Sequence, residues 1–390
     1  VWKTYSLLRN KLQYKESGEI LNQGALDSGR IEWKVDLQSR ILSSISSGTV
    51  VKSVNNNSGI KSLMQNTSVP FYSMKEQISS SFAAELNGDH KIDLLLGGVR
   101  GTVNAIDSEG NKLWTFSAKG RVNEVSLQYA GERAFIFVAT ENWYVHALDL
   151  NGRELWNYKF PDDQAHREYK GNLIGITNVR IAYKNGIALP PVIIVGTQFR
   201  YIYELSIDGK LKNETALYFY GIEDMEYADL DADGKEEGVF ALEYYYYTLV
   251  KNEELITGKT GGPGWKLAHV MDKGSDIIKP TVILGTKQSE IRKIGFESKL
   301  KEYWTINVGG EVNDIRHGDY DRDGKQEILV GTEGYQFYVV DANGNTVLRK
   351  TLNERVLKVD AVRRAGKVFY LAATAQGQLI KMNESGQILS

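Results

Sequence analysis

The residues best suited to chemistry in this sequence are short acidic loops that alternate oxygen-bearing and other side chains. Residues 229–237 read Asp-Leu-Asp-Ala-Asp-Gly-Lys-Glu-Glu, and residues 319–327 read Asp-Tyr-Asp-Arg-Asp-Gly-Lys-Gln-Glu. Each loop has carboxylates at positions 1, 3, 5 and 9 and a turn-forming glycine at position 6. Because Ca²⁺ prefers about six to eight oxygen ligands, this spacing predicts calcium sites. The predicted ligands are Asp229, Asp231, Asp233, Glu237, Asp319, Asp321, Asp323 and Glu327.

A third loop, residues 85–93, follows the same spacing with one amide ligand and without glycine at position 6. Its predicted ligands are Glu85, Asn87, Asp89 and Asp93. An EF-hand would need an acidic residue at position 12 and a helix on each side. Position 12 is Val330, Phe240 or Leu96, each inside an apolar stretch. The three loops are therefore predicted to connect β-strands.

A polar turn that binds no ion is the alternative for each loop. Three carboxylates within five residues repel one another unless a cation is present, which favours metal binding. Calcium is the only cofactor that the residues indicate.

Catalytic motifs are absent from the sequence. The five histidines form no zinc-binding pair at helical spacing, and there is no Gly-x-Ser-x-Gly motif and no phosphate-binding glycine loop. The lack of cysteine excludes thiolate metal sites and cysteine nucleophiles. No catalytic residue is predicted, which favours a non-enzymatic role, and an enzyme is kept as the alternative. Only the polar insertion 161–170 resembles a reactive loop, and for a polysaccharide lyase the candidates would be His166, Arg167 and Tyr169.

The elements that must position these loops repeat along the chain. An apolar strand ending in Thr precedes a turn glycine by 12 residues at four places, starting from Thr140, Thr197, Thr332 and Thr374. The turns carry Asn-Gly, Asp-Gly or Ser-Gly and are followed by a second strand, which is a strong hairpin signal. Nearly continuous apolar runs suit strands buried on both faces. Units of about 45 residues with four strands are typical of propeller blades.

The fold class is therefore predicted to be an all-β propeller of four-stranded blades. Seven blades are placed near residues 77–117, 121–160, 174–218, 223–261, 265–308, 311–353 and 355–390. Residues 1–76 are interpreted as an irregular N-terminal segment with a degenerate blade around 49–63. Eight blades are the preferred prediction and seven the alternative.

The acidic loops and blades resemble FG-GAP/VCBS-type calcium-loop propellers, which include integrin α-subunit heads. This resemblance implies calcium loops recurring blade by blade and a binding or scaffold role. The Asp/Asn-Gly hairpins followed by Trp resemble quinoprotein blades. Those enzymes hold their quinone against a vicinal disulfide, and a sequence without cysteine argues against that cofactor.

The sequence predicts an extracellular, cell-surface or periplasmic protein that binds a protein or glycan on the loop-bearing faces of the ring, with 161–172 as the leading candidate. Extracellular calcium would saturate such loops, whereas cytosolic calcium would not. A net charge of −2 gives no reason to expect nucleic acid, and no apolar run is long enough to span a membrane. The start at Val1 is compatible with removal of a leader or anchor. The alternatives are a lyase-like enzyme and a structural subunit of a larger surface assembly.

Overall fold

The computed structural model describes residues 78–389, with short gaps. The gaps are residues 90–92, 108–110, 119, 162–174, 199–200, 217–220, 243–245, 252–253, 260–264, 272–278, 298, 365 and 376–378. Every regular element in the described part is a β-strand, which confirms the all-β prediction.

The 28 strands form seven antiparallel four-stranded sheets, each with its strands in chain order. Blade 1 contains β1 (Ile78–Ala84), β2 (Asp93–Gly98), β3 (Thr102–Ile106) and β4 (Lys112–Ser117), and blade 2 contains β5 (Val122–Ala130), β6 (Arg133–Thr140), β7 (Tyr144–Leu148) and β8 (Glu154–Lys159). Blade 3 contains β9 (Ile176–Ala182), β10 (Val192–Thr197), β11 (Tyr201–Leu205) and β12 (Leu211–Ala216). Blade 4 contains β13 (Ile222–Ala228), β14 (Glu237–Leu242), β15 (Tyr246–Lys251) and β16 (Glu254–Lys259).

Blade 5 contains β17 (Trp265–Met271), β18 (Thr281–Thr286), β19 (Glu290–Phe296) and β20 (Leu300–Asn307). Blade 6 contains β21 (Val312–Gly318), β22 (Glu327–Thr332), β23 (Gln336–Asp341) and β24 (Thr346–Thr351). Blade 7 contains β25 (Val356–Arg364), β26 (Lys367–Thr374), β27 (Leu379–Asn383) and β28 (Ile388–Leu389). The seven blades fall within a few residues of the predicted limits. The predicted eighth blade lies outside the described residues.

The core lies between successive blades. In β6, Phe135 and Phe137 pack against blade 3, whereas Ile136 and Val138 pack against blade 1. Side chains alternate across a strand, so a strand that is covered on both faces must be apolar throughout. This explains the continuous apolar runs in the sequence.

The glycine before the strand-ending Thr allows two blades to approach closely. A Cβ on Gly331 would lie 2.7 Å from Val356 Cγ1, and one on Gly285 would lie 2.8 Å from Val312 Cγ1. Both valines begin the innermost strand of the next blade. The repeated Gly-Thr therefore marks a contact between blades as well as the end of a strand.

A tryptophan on the outer strand of a blade joins it to the next blade. Trp114 Nε1 donates a hydrogen bond to the Leu150 carbonyl (2.8 Å), and Trp156 Nε1 donates to the Ile207 carbonyl (3.2 Å). Trp304 Nε1 makes the same bond to the Ala342 carbonyl (3.1 Å). Each indole lies under the turn glycine two residues beyond its acceptor, and these glycines are Gly152, Gly209 and Gly344.

Polar side chains also join neighbouring innermost strands. Asn123 Nδ2 donates to the Ile176 carbonyl (2.8 Å), and Glu124 accepts the Val179 N–H (2.7 Å). Blade 6 repeats this arrangement on blade 7: Asn313 Nδ2 donates to the Val356 carbonyl (3.0 Å) and Asp314 accepts the Val359 N–H (3.0 Å).

The meander places the connections on two faces of the molecule. Links between first and second strands and between third and fourth strands lie at one end of each sheet, here named the turn face. Links between second and third strands, and between blades, lie on the opposite face. The acidic loops connect β1–β2, β13–β14 and β21–β22, so all three lie on the turn face. β8 ends and β9 begins on the opposite face.

Candidate metal centres

The loop in blade 4 has a tight conformation held by its own carboxylates. Asp229 accepts the N–H groups of Asp233 and Gly234, both at 3.0 Å. Asp231 accepts the same Asp233 N–H (3.2 Å), and Asp233 accepts the Lys235 N–H (2.9 Å). Ala232 (φ 66°) and Gly234 (φ 87°) have positive φ, which turns the chain around the carboxylates.

The loop in blade 6 has the same geometry from a different sequence. Asp319 accepts the Gly324 N–H (3.2 Å), and Asp321 accepts the Asp323 N–H (2.9 Å). Arg322 and Gly324 have φ values of 67° and 89°. Positive φ is unfavourable for arginine and alanine, so the middle of the turn is conformationally strained in both loops.

Carboxylates at positions 1, 3 and 9 converge in these two loops. One oxygen each from Asp229, Asp231 and Glu237 lie within 4.8 Å of one another. Asp319, Asp321 and Glu327 form an equivalent group. Two oxygens on opposite sides of a Ca²⁺ ion lie about 4.8 Å apart, so both groups fit the predicted ion. Whether calcium binds there stays a prediction.

The position-5 carboxylates do not join these groups. Asp323 Oδ1 accepts the Lys325 N–H (2.8 Å), and the Lys325 ammonium lies 3.4 Å from Asp323 Oδ2. This backbone hydrogen bond, together with the lysine, lowers the pKa of Asp323. Asp233 makes the corresponding bond to the Lys235 N–H. Three of the four predicted carboxylates thus come together in each loop.

The closing carboxylate of each loop is anchored below it. Glu237 accepts the Leu230 N–H and Glu327 accepts the Tyr320 N–H, both at 2.9 Å. Burial, with a smaller contribution from the nearby loop aspartates, raises the pKa of each glutamate to about 7. The backbone bond acts in the opposite direction. Ionised, these groups concentrate negative charge under the loop, which favours a cation there.

The loop in blade 1 is built differently. Asp93 accepts the Leu86 N–H (2.9 Å), so the closing carboxylate keeps its place, and burial raises its pKa to about 7. The Asn87 amide nitrogen faces Asp93 Oδ1 at 3.5 Å, and Asn87 Oδ1 accepts the Asp89 N–H (2.9 Å). The Gly88 N–H bonds to Glu85. Within the described part of this loop, no three carboxylates converge.

Position 2 is a functional feature of the loops that the ligand pattern did not reveal. Leu86, Leu230 and Tyr320 follow the first ligand, and each packs into the core shared with the next blade. Leu230 is fully buried. The sequence signal was an apolar residue between two acidic ones. The candidate centres are therefore parts of blade junctions.

The blade 4 loop also contacts the preceding blade. Glu236 is buried and accepts the Tyr183 N–H (2.7 Å) from the β9–β10 loop of blade 3. Burial raises the pKa of Glu236 to about 8. On the other side, Lys279 Nζ, just before β18, donates to the Asp231 carbonyl (2.8 Å). This loop thus connects three blades.

Other polar clusters line the innermost strands. Arg180 lies 2.5 Å from Glu124, 3.4 Å from Asp224 and 3.8 Å from Glu226. Burial lowers the arginine pKa, but these carboxylates outweigh it and the net pKa is raised. His317 lies on the innermost strand β21, and its Nδ1 lies 2.8 Å from His269 Nε2. His166, Arg167 and Tyr169 lie outside the described residues.

Comparisons with known proteins agree with the fold. The family described as outer membrane protein assembly factor BamB matches residues 99–187, which include two of the Trp-bearing hairpins. No curated protein sequence matches the chain. Among the described residues, no helix has the length and apolarity needed to cross a lipid bilayer.

Three solved structures illustrate the similarity. A chain from the crystal structure of BBS1N in complex with ARL6DN is 13% identical to this chain, and the match covers 79% of this chain and 93% of that chain with a TM-score of 0.57. The computationally designed Ika8 protein is 9% identical, covering 79% and 83% with a TM-score of 0.59. The WD40 β-propeller domain of Doa1 is 13% identical, covering 79% and 93% with a TM-score of 0.51. At these identities the similarity establishes the propeller fold.

Proposed function

We propose that this chain is a calcium-stabilised propeller that acts as a protein-binding scaffold outside the cytoplasm. The observation that carries the proposal is the convergence of three carboxylate oxygens in each of two loops built into blade junctions. The FG-GAP-like spacing of these loops gives the same expectation. We assign calcium a structural role, because both groups of ligands belong to loops that pack into blade junctions.

Calcium would act by fixing the loop that carries the position-2 side chain. In blade 4, the ion would join Asp229, Asp231 and Glu237, while Leu230 between them packs against blade 5. Its charge would offset the repulsion among the carboxylates. Loop order and blade packing would then be coupled, so calcium binding would add to the free energy of unfolding.

The proposed location follows from calcium supply. Loops of this kind match the calcium concentrations found outside the cytoplasm. The matched family is named for outer-membrane protein assembly, which favours the periplasm over the cell exterior. The match covers less than a quarter of the chain, so this part of the proposal rests on one region.

A protein-binding surface is available on the turn face of blade 3. The β9–β10 loop exposes more than half of both Ile187 (57%) and Leu189 (54%). Backbone hydrogen bonds hold this tip, from the Gly186 N–H to the Tyr183 carbonyl (2.8 Å) and from the Leu189 N–H to the Gly186 carbonyl (3.2 Å). An exposed apolar tip on a rigid base is suited to an apolar pocket on a partner protein.

Tyr183 connects this tip to the proposed calcium loop. Its N–H donates to Glu236 (2.7 Å), and its hydroxyl accepts the Gly131 N–H from blade 2 (3.0 Å). The tip therefore shares its base with the blade 4 loop. Calcium would help to keep it in a binding conformation. The BBS1N–ARL6DN complex is an instance of a similarly folded chain binding a protein.

The test measures calcium binding and thermal stability on one preparation of this chain. Native mass spectrometry should show two bound ions, and a third only at higher calcium because the blade 1 ligands do not converge. Chelation should lower the melting temperature by about 5–10 °C. The double variant Asp231→Asn/Asp321→Asn should lose most of this calcium-dependent shift.

Asp208→Asn is the matched control, because Asp208 is an exposed turn aspartate outside the three loops. It should keep the full calcium response. If the unsubstituted chain binds no calcium and its melting temperature is the same in calcium and chelator, the metal role is wrong.

A further inference from the structure

The loops between the second and third strands of blades 1, 2, 5 and 6 share one backbone conformation. The third residue of each loop has a positive φ, which is 91° at Gly101, 68° at Trp143, 71° at Ser289 and 66° at Tyr335. Its carbonyl accepts the N–H of the first residue after the outer strand, at 2.8, 2.9, 2.6 and 2.8 Å. Only glycine adopts this conformation freely, so the other three residues are strained.

Packing compensates for the strain at Trp143 but not at Tyr335. Trp143 is 5% exposed and belongs to the core between blades 2 and 3. Tyr335 is 46% exposed in the equivalent loop of blade 6. The fold therefore gains little from a large side chain at Tyr335. A ligand that covers the ring would supply the missing contact.

The surface on one side of Tyr335 is flat. The link between blades 5 and 6 lies directly against the β22–β23 loop, because a Cβ on Gly334 would lie 1.8 Å from the Gly309 carbonyl oxygen. A Cβ on Gly310 would lie 2.3 Å from the Gly334 nitrogen. No side chain rises from the backbone at these three glycines, which together are named the glycine strip.

The other surroundings of Tyr335 are polar. Glu333, two residues before it, accepts hydrogen bonds from Arg355 Nη1 and Asn313 Nδ2, both at 3.1 Å. The side chains of Arg355 and Glu333 are still partly exposed. Among the described residues, every other exposed large apolar side chain lies on an outer strand or at the β9–β10 tip. Tyr335 is thus a single aromatic ring in a polar surface.

We propose that Tyr335 is the stacking platform of a saccharide-binding site on the face opposite the turn face. A sugar has an apolar C–H face, which packs on the negative face of an aromatic ring, and hydroxyl groups, which bond to side chains such as Arg355 and Glu333. The core of a protein interface needs adjoining apolar side chains, and this surface has none among the described residues.

The glycine strip favours a flat ligand. A β-1,4-linked saccharide forms an extended ribbon, whereas an α-1,4-linked one coils. A ribbon that covers Tyr335 can continue over the strip without meeting a side chain. The sequence left protein and glycan open as ligands, and this surface favours the glycan. The site is separate from the proposed protein-binding tip and calls for no calcium.

The first measurement is thermal unfolding without ligand. Tyr335→Gly should keep or raise the melting temperature, by up to about 3 °C, because glycine relieves the strain but adds freedom to the unfolded chain. Ser289→Gly, at the equivalent position of blade 5, is the matched control and should behave alike. Trp143→Gly should lower the melting temperature by more than about 5 °C, since it empties a core position. A comparable fall in Tyr335→Gly would overturn the proposal, because the fold itself would then hold the ring.

The second measurement is isothermal titration calorimetry with cellotetraose and N-acetylchitotetraose, which are β-1,4-linked, and with maltotetraose, which is α-1,4-linked. At least one β-1,4-linked probe should bind about tenfold more tightly than maltotetraose. Tyr335→Gly should weaken this binding at least about tenfold, whereas Ser289→Gly and Tyr335→Phe should keep it within about twofold. Equal binding by Tyr335→Gly and Ser289→Gly would show that the ring is not the platform. If neither β-1,4-linked probe binds, the saccharide assignment is wrong and a protein is the remaining ligand.

Discussion

At the scale of single residues, the side chains beside the ligands matter as much as the ligands. Leu230 lies between two proposed ligands and contributes to the core with Val270 and Leu284 of blade 5. A turn of polar residues alone would have no such contact. The apolar residue between two acidic ones therefore encodes a loop whose geometry is held by packing against the next blade.

We expect Leu230→Ala to lower the free energy of unfolding by about 2–5 kcal/mol, because it removes a fully buried side chain. It should also weaken calcium binding, since the loop loses its attachment to blade 5. Denaturant unfolding and isothermal titration calorimetry measure the two effects. Leu113→Ala, at an exposed outer-strand leucine, should change neither by much. Unchanged calcium affinity in Leu230→Ala would show that calcium binding does not depend on the packing of Leu230 against blade 5.

Asp360 on β25 provides a prediction about pH. Burial raises the pKa of Asp360 to about 6 against the opposing effects of Arg316 and the Ala361 N–H, and Asp314 contributes a smaller rise. A folded-state pKa above the ordinary value means that the protonated form stabilises the fold. That stabilisation is complete below about pH 4 and is lost as pH rises through about 6.

Asp360→Asn should therefore melt at a higher temperature than the parent at pH 8 and at nearly the same temperature at pH 4. Fluorimetric melting from pH 4 to pH 8 measures the difference. The other carboxylates titrate in both proteins, so the difference isolates Asp360. A constant difference across this range would contradict the prediction.

At the scale of elements, each outer-strand tryptophan depends on a glycine in the next blade. A Cβ on Gly209 would lie 2.5 Å from Trp156 Cδ2, and Gly209 has a φ of 80°. Gly131 also has a positive φ, 61°, but a Cβ there would meet nothing within 4 Å. Substitutions at these two glycines can therefore be compared to distinguish the cost of backbone strain from the cost of disturbing the contact between blades.

Gly131→Ala should cost about 1 kcal/mol from backbone strain alone. Gly209→Ala should cost about 1–3 kcal/mol more, because the methyl group displaces the indole. It should also shift the tryptophan emission, as Trp156 becomes more exposed to water. Equal losses of stability in the two variants would mean that the indole contact adds nothing.

The elements were largely predictable because their signals are local. The 12-residue spacing between Thr197 and Gly209 spans only β11 and its two flanking connections, and positive φ at the turn needs only local sequence. The hydrogen bond from Trp156 Nε1 to the Ile207 carbonyl joins two blades, and the sequence near either residue does not indicate it. Contacts of this kind depend on how whole sheets stack, which one sequence does not display.

At the scale of the whole molecule, the turn face combines the proposed calcium loops and the apolar tip. The sequence predicted which strands the acidic loops join, because ligand spacing and strand pattern are read together. The role of the β9–β10 tip was not predicted. Ile187 and Leu189 look like an ordinary apolar stretch until the fold places them in solvent.

We expect Ile187→Asp/Leu189→Asp to leave the melting temperature within about 2 °C of the parent, because both residues are exposed. Protein partners retained by the immobilised chain from an envelope extract should bind at least about tenfold less to this variant. Quantitative mass spectrometry measures the retained proteins.

Val347→Asp, at an exposed residue on an outer strand, is the control and should retain the same partners. Partners that bind the tip should also be lost on chelation, because the tip shares its base with the blade 4 loop. Equal retention by the double variant and the control would exclude the tip as a binding surface.

The tryptophan contacts have a consequence for the order in which the chain is made. Trp114, Trp156 and Trp304 reach acceptors 36, 51 and 38 residues further along the sequence. On a ribosome, each indole is therefore synthesised before the turn that will receive it, by about 2–10 seconds at ordinary elongation rates. A blade can form its own hairpins at once, but its outer edge is secured only when the following blade emerges. For blades 1, 2 and 5, which carry these tryptophans, growth would thus proceed in steps in which the following blade completes the one before it.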